Sequence, residues 1–472
     1  MLSLPGLNLA PQAAEPLNIP TASATRIQEL AANTEYRFEV SFSRAVTVRL
    51  QSGTAEFFGA ELAPSNTYTF LGTKGAIYTW HGCRLEIGGE VESDYVAEET
   101  PMMSFANLHF ALESLRDRSV ASGSMEMGPR VLIVGPENAG KTTLVKTLTS
   151  YAIKTGRQPM VINLDPRQGM LSVPGSFSAA AFSSIMDIEE GWGSSPISGP
   201  SPTPVKMPLV YHYGLKDPEE GKIFRPLVTR MALAVTSRLE EDKASKQAGF
   251  IIDSSGAISH GRAGVYENIE HIVSEFSVNI LITIGSERLH NDLTRRYTHR
   301  PTEDTVSVIR LDKSGGCVDR TEDYMRTLRH AQMREYFFGH GENALAPSSQ
   351  TADFSDIHIF RIIDGATNPA FLPGDADEHD YEAAVYEKIT PSAQIQGRML
   401  AITTASHMDK QQVIRDASVR GYVYVADVDE GKRKIRLLSP QPGQTPANAM
   451  VVGSWPEDVP GLRYSRLKDK SV

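Results

Sequence analysis

The chain has 472 residues, 40% hydrophobic and 22% charged, with a formal net charge of −10. That length exceeds what one hydrophobic core organises, so two or three domains of ordinary soluble composition are expected. The negative balance argues against non-specific nucleic-acid binding by the whole chain, no run is long and apolar enough to span a bilayer, and the two distant cysteines, Cys83 and Cys317, make no disulfide framework.

The segment Met1-Leu2-Ser3-Leu4-Pro5 lacks the basic and apolar regions of a secretory signal, and residues 1–24, rich in Pro, Ala and small polar residues, read as a mobile tail. Residues 25–120 read as a β domain. Tyr36/Phe38/Val40 and Val46/Val48/Leu50 alternate with polar residues, and Gly-containing turns recur at Ser52-Gly53 and Gly72-Thr73. That pattern predicts a small antiparallel sandwich or barrel, followed by a connecting helix at Leu108–Arg116. Residues 121–330 change to an α/β texture. Strands are expected at 131–134, 160–164, 250–252, 278–284 and 306–311, alternating with helices at 142–155, 225–241 and 264–276, which predicts a parallel sheet. Gly191–Pro208 reads as an exposed loop within it. Residues 331–472 read as a third, smaller, mostly β domain with strands at 357–363, 396–402, 421–425 and 433–438, punctuated by polar stretches at 346–350 and 439–446. No internal repeat, heptad or zinc-ligand cluster is visible. Cys83 and Cys317 read as buried structural thiols, and Lys432-Arg433-Lys434 and Lys468-Asp469-Lys470 as solvated surface.

One motif carries chemistry. Gly135-Pro136-Glu137-Asn138-Ala139-Gly140-Lys141-Thr142 is a complete phosphate loop between the strand Val131–Val134 and a helix opening at Thr143. Glycines let the loop's N–H groups turn inward toward phosphate oxygens, the helix N-terminus adds positive potential, Lys141 reaches the outer phosphates, and the Thr142 hydroxyl sits on Mg²⁺. A carboxylate must also hold or orient the metal. Asp165 and Asp253 each follow an expected strand and qualify; either is also readable as a helix cap or turn aspartate. The charged run Ser286–Arg296 supplies arginines for a lid, or else forms a solvated helix face.

Together with Leu164-Asp165-Pro166-Arg167-Gln168-Gly169, the upstream Gly53-Thr54-Ala55-Glu56-Phe57-Phe58-Gly59-Ala60-Glu61-Leu62 and Tyr78-Thr79-Trp80-His81-Gly82, the loop resembles the eukaryotic polynucleotide 5′-hydroxyl kinase family. The likeness is greatest to its nuclear pre-mRNA cleavage and polyadenylation branch in fungal form. The resemblance implies that Glu35 and Lys74 grip the adenine of ATP, that Asn138, Ala139, Gly140, Lys141, Thr142 and Thr143 contact phosphates, that Asp165 and Gln168 face metal and substrate, and that Arg288 and Arg295 are lid arginines. Two positions depart from the active kinases. Arg167 stands where they carry Gly, and Ala257 where a Trp stacks on the terminal base, a contact worth roughly 1–3 kcal/mol.

The expectation is an ATP-binding subunit required for the endonucleolytic cleavage step of nuclear pre-mRNA 3′-end formation, with ATP and Mg²⁺ bound structurally. Its implied partners are the other cleavage-factor subunits, including the one that binds the RNA polymerase II C-terminal domain; pre-mRNA is met indirectly and no membrane is involved. The alternative is an active RNA 5′-hydroxyl kinase, with Asp165 activating the hydroxyl and Arg288 and Arg295 holding the γ-phosphate. A P-loop GTPase is set aside because no Asn-Lys-x-Asp motif is present.

Overall fold

A computed structural model describes residues 25–184, 186–189, 208–218, 222–261, 264–298, 305–339, 345–363, 385–440, 442, 447–459 and 462. The expected tail at 1–24, nearly all of the expected loop 191–208 and the cluster Lys468-Asp469-Lys470 lie outside them.

The alternation in the first domain folds into two antiparallel sheets face to face. One has the order Arg26–Leu30, Cys83–Gly88, Val46–Gly53, Thr67–Phe70; the other Ala60–Glu61, Glu56–Phe57, Lys74–Thr79, Thr34–Glu39, Ser93–Ala97. Tyr36, Phe38, Val46, Val48, Ile77 and Leu85 fill the space between them. Side chains alternate across a strand, so Glu35 and Arg37 point away from that core. They are nevertheless buried, at 4% and 7% exposure. The strand's polar face is covered from outside by the next domain.

A 20-residue helix, Met102–Ala121, links the two and is longer at both ends than the sequence pattern suggests. Its stripe Met102, Phe105, Leu108 and Leu112 packs into the same cluster as Leu144 and Leu148 of the phosphate-loop helix, Lys141–Lys154.

The central sheet runs Leu209–His212, Ser176–Ala181, Met160–Leu164, Phe250–Ser254, Arg130–Val134, Ile280–Ile284, Ser307–Leu311. The last five are parallel, as the α/β texture predicts. The first two are antiparallel additions that the sequence reading does not contain. Ser176–Ala181 (SFSAAA) lacks the aliphatic run of a buried strand, so its pattern was silent.

The C-terminal sheet runs Ser348–Asp353, Lys434–Ser439, Val419–Asp429, Met399–Ser406, Asn448–Val452, His358–Ile362, Tyr386–Ile389, with one parallel pair. Its edge strand Ser348–Asp353 falls on residues read from sequence as polar punctuation, because an edge strand with one solvated face needs little apolar content. A 17-residue helix, Glu322–Phe338, runs through position 330, where the sequence reading divides the second domain from the third.

Candidate nucleotide site

The phosphate loop leaves the C-terminal end of Arg130–Val134, at the centre of the sheet. Gly135 needs its missing side chain: a Cβ there would lie 2.4 Å from the Ile284 carbonyl oxygen. Gly140 sits at φ +90°, a left-handed position that caps the helix. Beside this loop lies a cavity of about 670 Å³, walled by three parts of the chain. The phosphate loop and Asp253 form its floor. Glu35, Arg37, Lys74 and Phe57 enter from the β domain. Asp165–Met170 and a third segment, Asp312–Arg320 with the helix beginning at Glu322, close the remainder.

The floor is built for a hard cation and phosphate. Thr142 Oγ1 donates to Asp253 Oδ2 at 2.5 Å, while Asp253 Oδ1 is buried with no partner among the described residues. Burial raises the Asp253 carboxyl to about 6, opposed by Lys141 and the Thr142 bond. Burial likewise raises Asp165 and lowers Lys141, each opposed by the other's charge. Lys141 Nζ donates to the carbonyls of Gly135 (3.0 Å) and Pro136 (2.9 Å). Such an ammonium, held beside two incompletely compensated carboxylates, is what a metal–phosphate pair would neutralise. An orphaned carboxylate oxygen beside a hydroxyl suits Mg²⁺, which takes few protein ligands and completes its octahedron with phosphate and water. No group of three or more potential ligands is found among the described residues.

The turn after Met160–Leu164 is pinned internally. Asp165 Oδ1 accepts from the Arg167 N–H, and Oδ2 from Gln168 Nε2 at 3.2 Å. Arg167 itself spans from Glu137 of the phosphate loop to Asp217, 2.6 Å from Nη2. Its guanidinium therefore occupies the side of the cavity where glycine would leave room.

The structure gathers Glu35, Lys74, Asn138, Ala139, Gly140, Lys141, Thr142, Thr143, Asp165, Gln168 and Asp253 around one cavity. Gly135 lies directly behind, its carbonyl receiving Lys141. Glu35 and Lys74 do not pair with each other. Glu35 binds Arg37 at 2.5 Å, and its carboxyl is raised by burial against that charge; Lys74 pairs with Glu39 and lies 5.1 Å from the centre of the Tyr324 ring.

Arg288 and Arg295 are not brought into the cavity. Both are exposed on the helix Glu287–Thr298, and Arg288 lies 3.8 Å from Asp292. The helix turns Leu289, Leu293 and Tyr297 inward, which puts those arginines on its solvent face. An arginine the sequence reading does not name, Arg320, reaches the site and donates to Asn138 Oδ1 and Gln168 Oε1, each at 3.1 Å. Its only sequence signal was the pair Gly315-Gly316, whose bare backbone lies against Glu99 and Arg37. Cys317 is only partly buried and lines the cavity, its sulfur 3.0 Å from where a Gly140 Cβ would stand, so it is no core thiol. Lys146, one turn beyond Thr142, also lines the cavity, its ammonium lowered to about 8 by burial.

Comparison with known proteins extends over nearly the whole chain. Residues 135–339 match the family model "mRNA cleavage and polyadenylation factor CLP1 P-loop", 29–119 the "N-terminal beta-sandwich domain of polyadenylation factor", and 345–457 the "Pre-mRNA cleavage complex II protein Clp1". The mRNA cleavage and polyadenylation factor CLP1 of Phaeosphaeria nodorum is 76% identical over 466 residues, covering 98% of this chain and 100% of that protein. That of Botryotinia fuckeliana is 51% identical, covering 97% and 98%. Among solved structures, a Clp1p–Pcf11p complex that describes ATP loss in a glycine-to-arginine point mutant superposes with a TM-score of 0.81 at 28% identity, over 92% of this chain and 98% of that one. The wild-type Clp1p–Pcf11p complex gives 0.80 at the same identity and coverage.

Proposed function

The chain belongs to the mRNA cleavage and polyadenylation factor CLP1 family, and on that footing we propose that it is an ATP-binding subunit of the nuclear pre-mRNA cleavage complex, in which bound nucleotide fastens one domain to another. One observation carries the reading: the phosphate loop and the β-domain residues Glu35 and Lys74 line a single cavity, so a nucleotide filling it touches both domains. Lys141 and the loop N–H groups take the phosphates, Thr142 and Asp253 hold Mg²⁺ with Asp165 beside it, Arg320 and Gln168 close over them, and Glu35 and Lys74 take the base. The metal, when bound, neutralises phosphate charge and fixes the phosphates' orientation. A ligand binding only the assembled form stabilises it by RT ln(1 + [L]/Kd), about 4 kcal/mol at a thousandfold excess. By the same kinship, the chain docks a Pcf11-type subunit and works in the nucleus.

Turnover requires an acceptor held in line. Here Arg167 is fixed across the acceptor side by Glu137 and Asp217, and Ala257 offers no aromatic face. The test is to extract nucleotide from purified chain, and separately to incubate the chain with γ-labelled ATP and 5′-hydroxyl RNA. Co-purified ATP with unlabelled RNA is expected. Robustly labelled RNA would establish the kinase instead, and a chain that neither retains nor binds ATP would end the proposal.

A further inference from the structure

The turn carrying Asp165 is held from a direction no motif indicates. Trp455 lies 289 residues downstream of Pro166, and its indole Nε1 donates to the Pro166 carbonyl at 2.9 Å in a buried bond. The indole is itself fixed. Its backbone N–H donates to Gly214 O, and the Arg329 guanidinium lies 4.4 Å from its ring centre. Arg329, only 3% exposed, is gripped by both oxygens of Glu457 at 3.0 Å and by Glu322 at 2.9 Å. From the same helix as Arg329, Gln332 Nε2 donates to the Gly169 carbonyl at 3.0 Å. The turn is thus tied at Pro166 to Trp455 of the C-terminal region and at Gly169 to the helix that follows Arg320.

We infer that Trp455 is a positioning residue for the nucleotide site: through Pro166 it fixes the turn that aims Asp165 and Gln168, so the C-terminal domain sets the metal-dependent part of nucleotide affinity. The cause is geometric. A carboxylate stabilises a bound cation only when aimed at it, and outer contacts that orient inner groups tune affinity strongly. Losing the indole N–H leaves the Pro166 carbonyl held only by the Gly175 N–H at 2.8 Å, loosens the turn toward the C-terminal domain, and misaims Asp165; the loop N–H groups and Lys141 stay where they are.

The inference rests on the nucleotide reading above, and titration of the nucleotide-free full-length chain with ATP, in Mg²⁺ and in EDTA, separates the two. Wild type failing to bind in either condition would remove the nucleotide reading itself. Given binding, Trp455→Phe keeps an aromatic ring facing Arg329 while removing the donor and one fused ring. Affinity in Mg²⁺ is expected to fall about fivefold, the factor carried by one net hydrogen bond, with affinity in EDTA within about twofold of wild type. Wild-type affinity in both conditions, or an equal loss in both, overturns the inference. Glu457→Gln provides a second test should Trp455→Phe fail to fold: it leaves the indole in place and loosens Arg329. A two- to threefold loss confined to Mg²⁺ is expected, and a loss absent there or shared with EDTA overturns it.

Discussion

Between the β domain and the phosphate-loop domain the contacts combine ion pairs with a small apolar patch at Tyr78 and Trp80, and they enclose a cavity. Lys154 bridges to Glu56 at 3.3 Å and Glu61 at 3.0 Å, and Tyr151 donates to Glu56. Between the phosphate-loop domain and the C-terminal sheet the contacts are apolar. Phe360, Ile362, Tyr386 and Val451 belong to the same core cluster as Leu132, Ile162 and Ile252, whereas the β-domain cluster takes only Ile188 from elsewhere. A seam that shares one extensive core is held mainly by burial; a seam with a small apolar patch, crossed by partly solvated ion pairs, gains little from each pair. On the function proposed above, a bound nucleotide therefore adds more to the first seam than to the second.

The largest effect should come from breaking the apolar seam. Ile362→Ala removes buried methylenes and is expected to cost about 2–5 kcal/mol of unfolding free energy by denaturant titration, with the added stabilisation from ATP unchanged. An equal loss of the ATP increment would mean the two seams are coupled through more than the Pro166 contact. Next, Lys141→Ala should weaken ATP binding by roughly a hundredfold by calorimetry, because a charge-assisted partner of the phosphates is gone, while leaving nucleotide-free stability close to wild type. Retention at wild-type level would show that the loop is not the site.

A third test uses pH. His212 is buried at the apolar seam, its ring 5.8 Å from Tyr422, with neither ring nitrogen partnered among the described residues. Burial lowers it to about 4 from 6.5. The unfolded chain thus binds this proton first as pH falls from 6.5 to 4, so stability declines across that window, by about 1 kcal/mol at pH 5.5. His212→Leu should flatten the decline in melting temperature over that range; an identical slope would place the acid sensitivity elsewhere. The smallest effect belongs to the base. Glu35→Gln should reduce the preference for ATP over GTP about tenfold in competition binding, and an unchanged ratio would take Glu35 out of base selection.

What neighbours in sequence encode was legible from sequence: the β-domain alternation, the strand before the phosphate loop, the loop itself and the aspartates ending two adjacent strands. These depend on periodicity and on backbone demands local to a few residues. What the sequence reading got wrong or left silent depended on which surface covers which. Glu35 and Arg37 carry the signature of a solvated strand face and are buried because another domain lies on it. Arg288 and Arg295 sit in a suggestive charged run and face solvent, while Arg320 meets Asn138 across a separation of 182 residues. Trp455 meets Pro166 across 289. Chemistry at the loop was fixed by residue type and spacing; the enclosure of that chemistry came only from tertiary packing, because burial and long-range hydrogen bonds are properties of paired surfaces that no local pattern records.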